Sequence, residues 1–474
     1  MVRVFVVAAV LFVALVANLT YLQVIAAGSL EKKPQNHQAI AQELRVKRGQ
    51  ILAYDGTVIA GVIARSGYYY RTYPHGALAP HIVGYSSVRY GRSGIEASMN
   101  DYLVGEAGSL GARSWVDRLL GRRVRGATVR LTIVPSVQRA AQDALAGRRG
   151  AIVVLDPSSG ALIASASSPT YSPARLEQDW PRLRKDSSAP LLDRADQSLY
   201  PPGSSFKVVT AAAALESGKA TPTTTYQDTG TYVVYGGRVT NYHGEIFGAN
   251  TLTQALTFSI NTTFAKLGDQ LGKAGLVDSM KRFGFWRVPP LELPGGQVRA
   301  SGRYHGGTLL DPSAPMDPLQ VAWAAVGQEQ VLATPLQMAI VAAAVANGGR
   351  AMKPYVVQEV VSPTGEVIRQ GKPEPWTDAV QAATVAQLSE MMQQVVNAGT
   401  GTAAALAGIQ VAGKTGTAET GATNQAWFIA FAPADAPRVA VAVSIEDTPA
   451  TGGEVAAPLA AAVMRAALAA GGLP

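Results

Sequence analysis

The chain contains no cysteine. That excludes a disulfide, a thiolate nucleophile and any cysteine-ligated metal. Histidine is scarce as well: His37, His75, His81, His243 and His305 are scattered. No two of them have the spacing that sets a metal-ligating pair on one helix face. No cofactor is expected, and covalent chemistry has to rest on serine, threonine, lysine or a carboxylate. Charged residues make up only 16 %, against 47 % hydrophobic, which is a foldable composition rather than a disordered one. The net charge of +8 suits an anionic membrane surface or an acidic polymer, or reflects an evenly solvated basic surface. No zinc-finger or RNA-binding signature accompanies it, so no nucleic-acid partner is expected.

At 474 residues the chain is long enough for two or three domains. Residues 4–27 are apolar almost throughout; Asn18, Thr20 and Gln23 interrupt them weakly, and no charge does. Such a run spans a bilayer core of about 30 Å as a helix. It exceeds the roughly 7–15 apolar residues of a secretory leader, so residues 1–30 read as a cytoplasmic tip and a retained transmembrane anchor. Ala26-Ala27-Gly28 would be the cleavage site if the run were a leader instead. Arg3 precedes the run and Lys32 and Lys33 follow it, so charge does not set the orientation.

Residues 31–147 mix short strand patterns with Gly-rich loops and read as a small pedestal domain. Asp55-Gly56 between apolar stretches signals a hairpin there. From residue 148 the pattern changes. Ala151-Ile152-Val153-Val154-Leu155 and Ala161-Leu162-Ile163-Ala164-Ser165 flank a Pro- and Gly-containing turn. Residues 411–417, 427–432 and 439–445 are three more strand-like runs, and their short connections favour antiparallel neighbours. Residues 206–215, 335–346 and 454–470 read as helices. Residues 148–474 are therefore expected to form an α+β domain, an antiparallel sheet built from both ends of the segment and flanked by helices.

Three short motifs carry the chemistry. Ser204-Ser205-Phe206-Lys207 follows Pro201-Pro202-Gly203 and opens a helix. Ser204 then sits near a helix N-terminus, where the dipole favours an anion. Lys207, three residues on, shares its face. A lysine withdrawn from water has a lowered pKa and serves as a general base. Ser259-Ile260-Asn261 offers a hydroxyl that relays a proton between Lys207 and a leaving amine, and an amide that holds a substrate peptide. Lys414-Thr415-Gly416-Thr417 lies on a predicted strand. Lys414 brings a cation for a substrate carboxylate and Thr415 a hydroxyl. Gly416 lets a peptide approach closely as an added strand. Each motif alone is weak, because a capping serine or a solvated lysine accounts for it. Residues 29–32 repeat the first pattern and Ser98-Met99-Asn100 the second. The ordered triple in its structural settings selects Ser204.

On these motifs the chain resembles a class B penicillin-binding protein, a monofunctional peptidoglycan D,D-transpeptidase, of the short-pedestal type. Further stretches carry the resemblance: Arg48-Gly49-Gln50-Ile51, Gly94-Ile95-Glu96, Tyr200-Pro201-Pro202-Gly203, Gly327-Gln328, Ala333-Thr334-Pro335, Gly399-Thr400-Gly401-Thr402 and Ala426-Trp427-Phe428-Ile429. The resemblance implies a penicillin-binding, serine β-lactamase-like domain on a small mixed pedestal and one N-terminal transmembrane helix. It implies that Ser204 attacks the D-Ala-D-Ala carbonyl of peptidoglycan stem peptides and that Lys207 takes its proton. Ser259, Asn261 and Lys414 would complete the catalytic set, with Thr415, Gly416 and Thr417 binding substrate. Backbone N–H groups of Ser204 and Thr417 would form the oxyanion hole. β-Lactams would acylate Ser204, and a neighbouring amine would resolve the natural acyl-enzyme. A single-pass anchor would hold the catalytic domain outside the cytoplasm, beside a polytopic lipid II polymerase of the SEDS family, for wall synthesis in elongation or division.

Other classes share parts of this pattern. A serine β-lactamase needs a water-activating group; Glu329-Gln330-Val331-Leu332-Ala333 approaches the E-x-x-L-N pattern but has Ala where Asn is needed, and is expected to be structural. A D,D-carboxypeptidase uses the same chemistry with water as acceptor. A penicillin sensor or scaffold would carry a signalling segment, and no kinase or DNA-binding pattern is visible. The pedestal segment is too short to add a glycosyltransferase.

Overall fold

The structure is a computed structural model that describes residues 2–21, 43–108, 110, 111, 114, 119, 120, 123–419, 421 and 423–474. It begins with the helix Val2–Thr20, whose 19 residues rise about 28 Å at 1.5 Å each. Arg3 is its one charged residue, and Val10, Leu11, Phe12 and Val13 are exposed. The end of the apolar run, the second Ser-x-x-Lys at residues 29–32, and Lys33 lie outside the described residues.

A six-stranded sheet forms the pedestal. Its order is Val367–Gln370, Val357–Val361, Thr128–Leu131, Ile51–Leu52, Val58–Arg65 and Tyr68–Thr72. Asp55 does turn the chain between the first two of these in sequence, Ile51–Leu52 and Val58–Arg65: its Oδ1 accepts the Thr57 N–H at 2.9 Å. Two strands, Val357–Val361 and Val367–Gln370, come from deep inside the C-terminal segment. The first of them pairs antiparallel with Thr128–Leu131, so main-chain hydrogen bonds tie the pedestal to that segment.

Beside this sheet Arg48 and Glu96, far apart in sequence, meet. Glu96 is fully buried. Arg48 Nε donates to it at 2.9 Å, Tyr73 OH at 3.2 Å, and Arg71 Nε also donates. Burial pushes the Glu96 carboxyl up, but the Arg71 and Arg48 charges outweigh it and hold the group below its ordinary range. Removing one partner of such a pair typically costs about 3–5 kcal/mol. This explains why Arg48 and Glu96 stand out as motif residues although neither touches the candidate site.

The C-terminal segment carries a five-stranded antiparallel sheet. Its order is Ala412–Glu419, Asn424–Ala432, Val439–Thr448, Gly150–Leu155 and Leu162–Ser168. Both ends of the segment supply strands, as the sequence pattern implies. Gly150–Leu155 is buried along its whole length, which is why it reads as an unbroken apolar run. Ile152 and Val154 join a cluster with Val137, Ala141, Ala460 and Val463, from the helices Pro135–Ala144 and Ala457–Ala469. Ala151 and Val153 join the other cluster, with Ile340 and Val341 of the helix Pro335–Ala346. Thr334 caps that helix, accepting the Gln337 N–H at 3.1 Å, and Pro335 occupies its first turn. The stretch Gly452–Ala469 is long and apolar enough to cross a membrane, yet Ala457, Ala460, Val463, Met464 and Ala467 are buried against the sheet. It is a core helix.

Candidate active site

The edge strand Ala412–Glu419 has one neighbour, Asn424–Ala432, and its other edge faces the Ser204 turn. Ser204 lies in the 3-10 turn Gly203–Phe206, just ahead of the α-helix Lys207–Glu216. This is one turn earlier than a place in the helix itself. The shared face with Lys207 survives, because residues i and i+3 eclipse in a 3-10 turn. Two glycines make the approach feasible. Gly203 has φ of +52°, and a Cβ there would lie 2.6 Å from Thr417 O. At Gly416 a Cβ would lie 2.7 Å from Pro202 O and 3.0 Å from Ser205 N. The edge strand and the serine turn therefore touch through backbone.

Sequence stretches that looked separate brace this contact. Gly203 N–H donates to Gly327 O at 2.8 Å, and Tyr200 and Ala333 exchange backbone hydrogen bonds of 3.0 and 2.8 Å. Trp427 Nε1–H donates to Pro201 O at 2.9 Å. Arg194 Nε donates to Glu446 Oε1 at 2.8 Å, and Tyr200 OH donates to the same oxygen.

Lys207 is fully buried at the floor of the site. Its Nζ donates to Asn261 Oδ1 at 2.7 Å, Ser259 O at 2.6 Å and Ser259 Oγ at 3.3 Å. Lys414, also fully buried, reaches the same Ser259 Oγ at 3.0 Å and Thr415 O at 3.0 Å. One hydroxyl thus bridges two amines. Two charged ammonium groups at such a site repel each other and lack water to solvate them. Burial first, and then the Lys414 charge, pushes the Lys207 pKa well below its ordinary value. Burial brings Lys414 down to about 7. Both shifts favour the neutral form of the amines that meet at Ser259. Ser204, Ser259, Asn261 and Thr417 are partly exposed above the two lysines, so the groove opens on the hydroxyl side.

Ser259 has φ of +62°, in the left-handed region that residues with a Cβ seldom adopt. It sits between the helices Leu252–Thr257 and Asn261–Arg282. Asn261 opens the second helix, and two residues that the sequence reading did not select hold it. Asn241 Oδ1 accepts the N–H groups of Asn261 at 2.9 Å and Thr262 at 3.1 Å. Asp228 receives Asn241 Nδ2 at 2.9 Å, Thr262 Oγ1 at 2.6 Å and the N–H groups of Phe247 and Gly230 at 2.7 and 2.9 Å. Burial raises the Asp228 pKa, but these donors together hold it below the usual carboxylate range. Thr400 Oγ1 lies 2.6 Å from Thr415 Oγ1 and tethers the edge strand. Thr417 Oγ1 accepts the Gly452 N–H at 3.2 Å.

All eight residues singled out by motif thus gather in one place, where the serine turn and its helix, the start of Asn261–Arg282 and the edge strand meet. The competing matches fall elsewhere. Ser98 Oγ donates to Glu292 O at 2.8 Å, joining the pedestal to the C-terminal segment, and Asn100 accepts from Arg48 at 2.6 Å within the pedestal. Within residues 329–333, Val331–Leu332 pairs with Gly302–His305 and Gln330 accepts from Arg303 at 2.8 Å. Among the described residues no cluster of three His, Asp or Glu side chains suits a metal ion.

Comparison with known proteins agrees with this geometry. The family described as penicillin binding protein transpeptidase domain matches residues 150–465, and the penicillin binding protein A dimerisation domain matches residues 48–129. The peptidoglycan D,D-transpeptidase PbpA of Mycolicibacterium smegmatis is 37 % identical, over 98 % of this chain and 98 % of its own length. The protein of the same name from Mycobacterium tuberculosis is 36 % identical over 97 % of this chain and 96 % of its own. Penicillin-binding protein A from M. tuberculosis, solved as an imipenem acyl-enzyme complex, superposes with a TM-score of 0.82 at 36 % identity, covering 90 % of this chain and 100 % of that one. The D,D-transpeptidase domain of a peptidoglycan glycosyltransferase from Eggerthella lenta gives 0.80 at 39 % identity, covering 91 % and 100 %.

Proposed function

The chain belongs to the penicillin-binding protein transpeptidase family, and from that premise we propose that it is a peptidoglycan D,D-transpeptidase acting through an acyl-enzyme on Ser204. The observation that carries the reading is the buried Lys207, three residues on from Ser204 and hydrogen-bonded to Asn261 and Ser259. Lys207 takes the Ser204 proton as Oγ attacks the D-Ala-D-Ala carbonyl. Backbone N–H groups of Ser204 and Thr417 stabilise the oxyanion, a contribution of about 10²–10³ in rate per donor. Ser259, bridged to Lys414, passes a proton to the departing D-Ala amine. Asn261 holds the stem-peptide amide. Thr415, Gly416 and Thr417 dock the peptide along the open strand edge. A neighbouring stem-peptide amine then takes the acyl group, and β-lactams stop the cycle by acylating Ser204.

The helix Val2–Thr20 fits a single-pass anchor with the catalytic segment outside the cytoplasm. Residues 1–30, 31–147 and 148–474 then serve as anchor, pedestal and catalytic domain. A polytopic lipid II polymerase of the SEDS family, contacting anchor and pedestal, would supply the glycan strands. The central test is Ser204→Ala, which abolishes labelling by a fluorescent penicillin while the fold persists; undiminished labelling would sink the mechanism. Products made from a D-Ala-D-Ala peptide with an amine present separate transfer from the hydrolysis of a D,D-carboxypeptidase.

A further inference from the structure

An exposed aromatic and acidic wall stands beside Ser259 and Asn261. Phe258, the residue before Ser259, is 42 % exposed, Tyr242 41 % and Ile246 71 %. Phe247 stacks on Phe258 with ring centroids 6.2 Å apart. Asn261 Nδ2 donates to Thr240 O at 2.9 Å, so the chain entering Tyr242 abuts the second motif. Glu245 is exposed, and its carboxylate has no ion-pair partner among the described residues. The wall is fastened rather than loose. Beneath it Asn241 Nδ2 donates to Glu245 O at 2.9 Å, and buried Asp228 accepts the Phe247 N–H. His243 has φ of +51°, a conformation maintained only where the surroundings impose it.

The chemistry says which reactant meets this wall. The leaving amine departs where Ser259 can protonate it. By microscopic reversibility the attacking amine arrives at the same place. The donor peptide meanwhile occupies the opposite wall, along Ala412–Glu419. Aromatic faces with an unpaired carboxylate suit a primary ammonium on an aliphatic chain. We propose that Tyr242, Glu245 and Phe258 form the acceptor subsite, which binds a peptide bearing a primary amine on an aliphatic side chain. The proposal rests on the transpeptidase reading above.

The bound ammonium gives one proton to the neutral amine of Lys207 by way of Ser259. The freed nitrogen attacks the acyl carbon. A C–N bond forms, the C–O bond to Ser204 breaks, and the second nitrogen proton ends on Ser204 Oγ. Lys207 then returns its proton to solvent.

The test uses the full chain in detergent and one D-Ala-D-Ala donor peptide. Transfer relative to hydrolysis is measured with two acceptors: a peptide with a free lysine side chain, and hydroxylamine, which is too small to need a wall. Both products come from one acyl-enzyme, so the acylation rate does not enter. Glu245→Gln and Tyr242→Ala are each expected to lower the peptide-to-hydroxylamine preference roughly two- to fivefold, the worth of one exposed cation–aromatic or ionic contact. Glu245 is exposed, so its variant keeps the fold even if the Tyr242 variant does not. An unchanged preference in Glu245→Gln would overturn the subsite. Wild-type enzyme that transfers to neither acceptor would instead overturn the transpeptidase reading itself.

Discussion

The two buried lysines divide their work by environment, and pH is the means of seeing it. Lys207 must be neutral to accept the Ser204 proton, so acylation by penicillin falls as pH drops and Lys207 becomes charged. The Lys414 charge helps to keep Lys207 neutral. Lys414→Ala therefore moves the acid limb of the acylation profile to higher pH, as well as lowering the rate. A limb that stays in place would show that another base is at work. Lys207→Ala should cost about 10²–10⁴ in acylation, the usual worth of a general base. Asn241 is a positioning residue by the same geometry: it never reaches the groove, but it caps the helix that presents Asn261. Asn241→Ala is expected to slow acylation by about fivefold, in line with roughly 1 kcal/mol for a lost cap. Asn241→Asp keeps the acceptor oxygen but replaces the donor to Asp228 with a second buried carboxylate, so it should not recover the loss. Wild-type acylation by Asn241→Ala would mean that the cap does not act through Asn261.

At the scale of elements, the site depends on how closely the edge strand meets the serine turn. A methyl at Gly416 would meet Pro202 O, Trp427 Cβ at 2.9 Å and Ser205 N. Trp427 is locked by its bond to Pro201, so the strand has to give way. Gly416→Ala should lower acylation by about 10²-fold, as expected for an ångström-scale misplacement, with the thermal midpoint little changed. Wild-type acylation by that variant would refute the close approach. Ser98→Ala, in contrast, removes a pedestal contact and should leave acylation unaltered. Much of this arrangement was legible in the sequence because motif and element coincide. Ser204 and Lys207 share a turn, Lys414 to Thr417 share a strand, and buried strands read as apolar runs. Asn241 and Asp228 were not legible. Each is one polar residue in a turn-rich stretch, and they meet Asn261 only through the tertiary fold. The pedestal hairpin Val357–Val361 and Val367–Gln370 was hidden for a related reason. A strand pattern says that a segment pairs, but not which distant sheet it completes.

For the molecule as a whole, the segment that delivers Ser204 rests on buried acid groups that cost stability. Asp193 and Asp196 lie just upstream of Tyr200 and are almost wholly buried. Both Asp196 oxygens and Asp193 Oδ2 lack hydrogen-bond partners. Burial, and then the Asp193 charge, raises Asp196 well above its ordinary 3.8. Burial likewise raises Asp193, against the opposing pull of His81 and Arg194. The native state therefore retains a proton that the unfolded chain releases near pH 3.8. Stability from this group is fully present below that pH and is lost as pH rises through the native value. Replacing Asp196 with Ala removes the buried carboxyl and with it the dependence. The variant should gain little in acid and about 1–3 kcal/mol at neutral pH, the cost of an unsatisfied buried polar group. Buried His81, whose pKa burial depresses, works in the other direction, favouring the native state as pH rises through 6.5. It is present in both proteins and cancels to first order in their difference. Thermal midpoints of wild type and Asp196→Ala between pH 4 and pH 8 should diverge as pH rises, a direction set by the sign of the Asp196 shift. Parallel curves would mean that the carboxyl finds a partner in solution, and that the serine segment does not rest on an uncompensated acid.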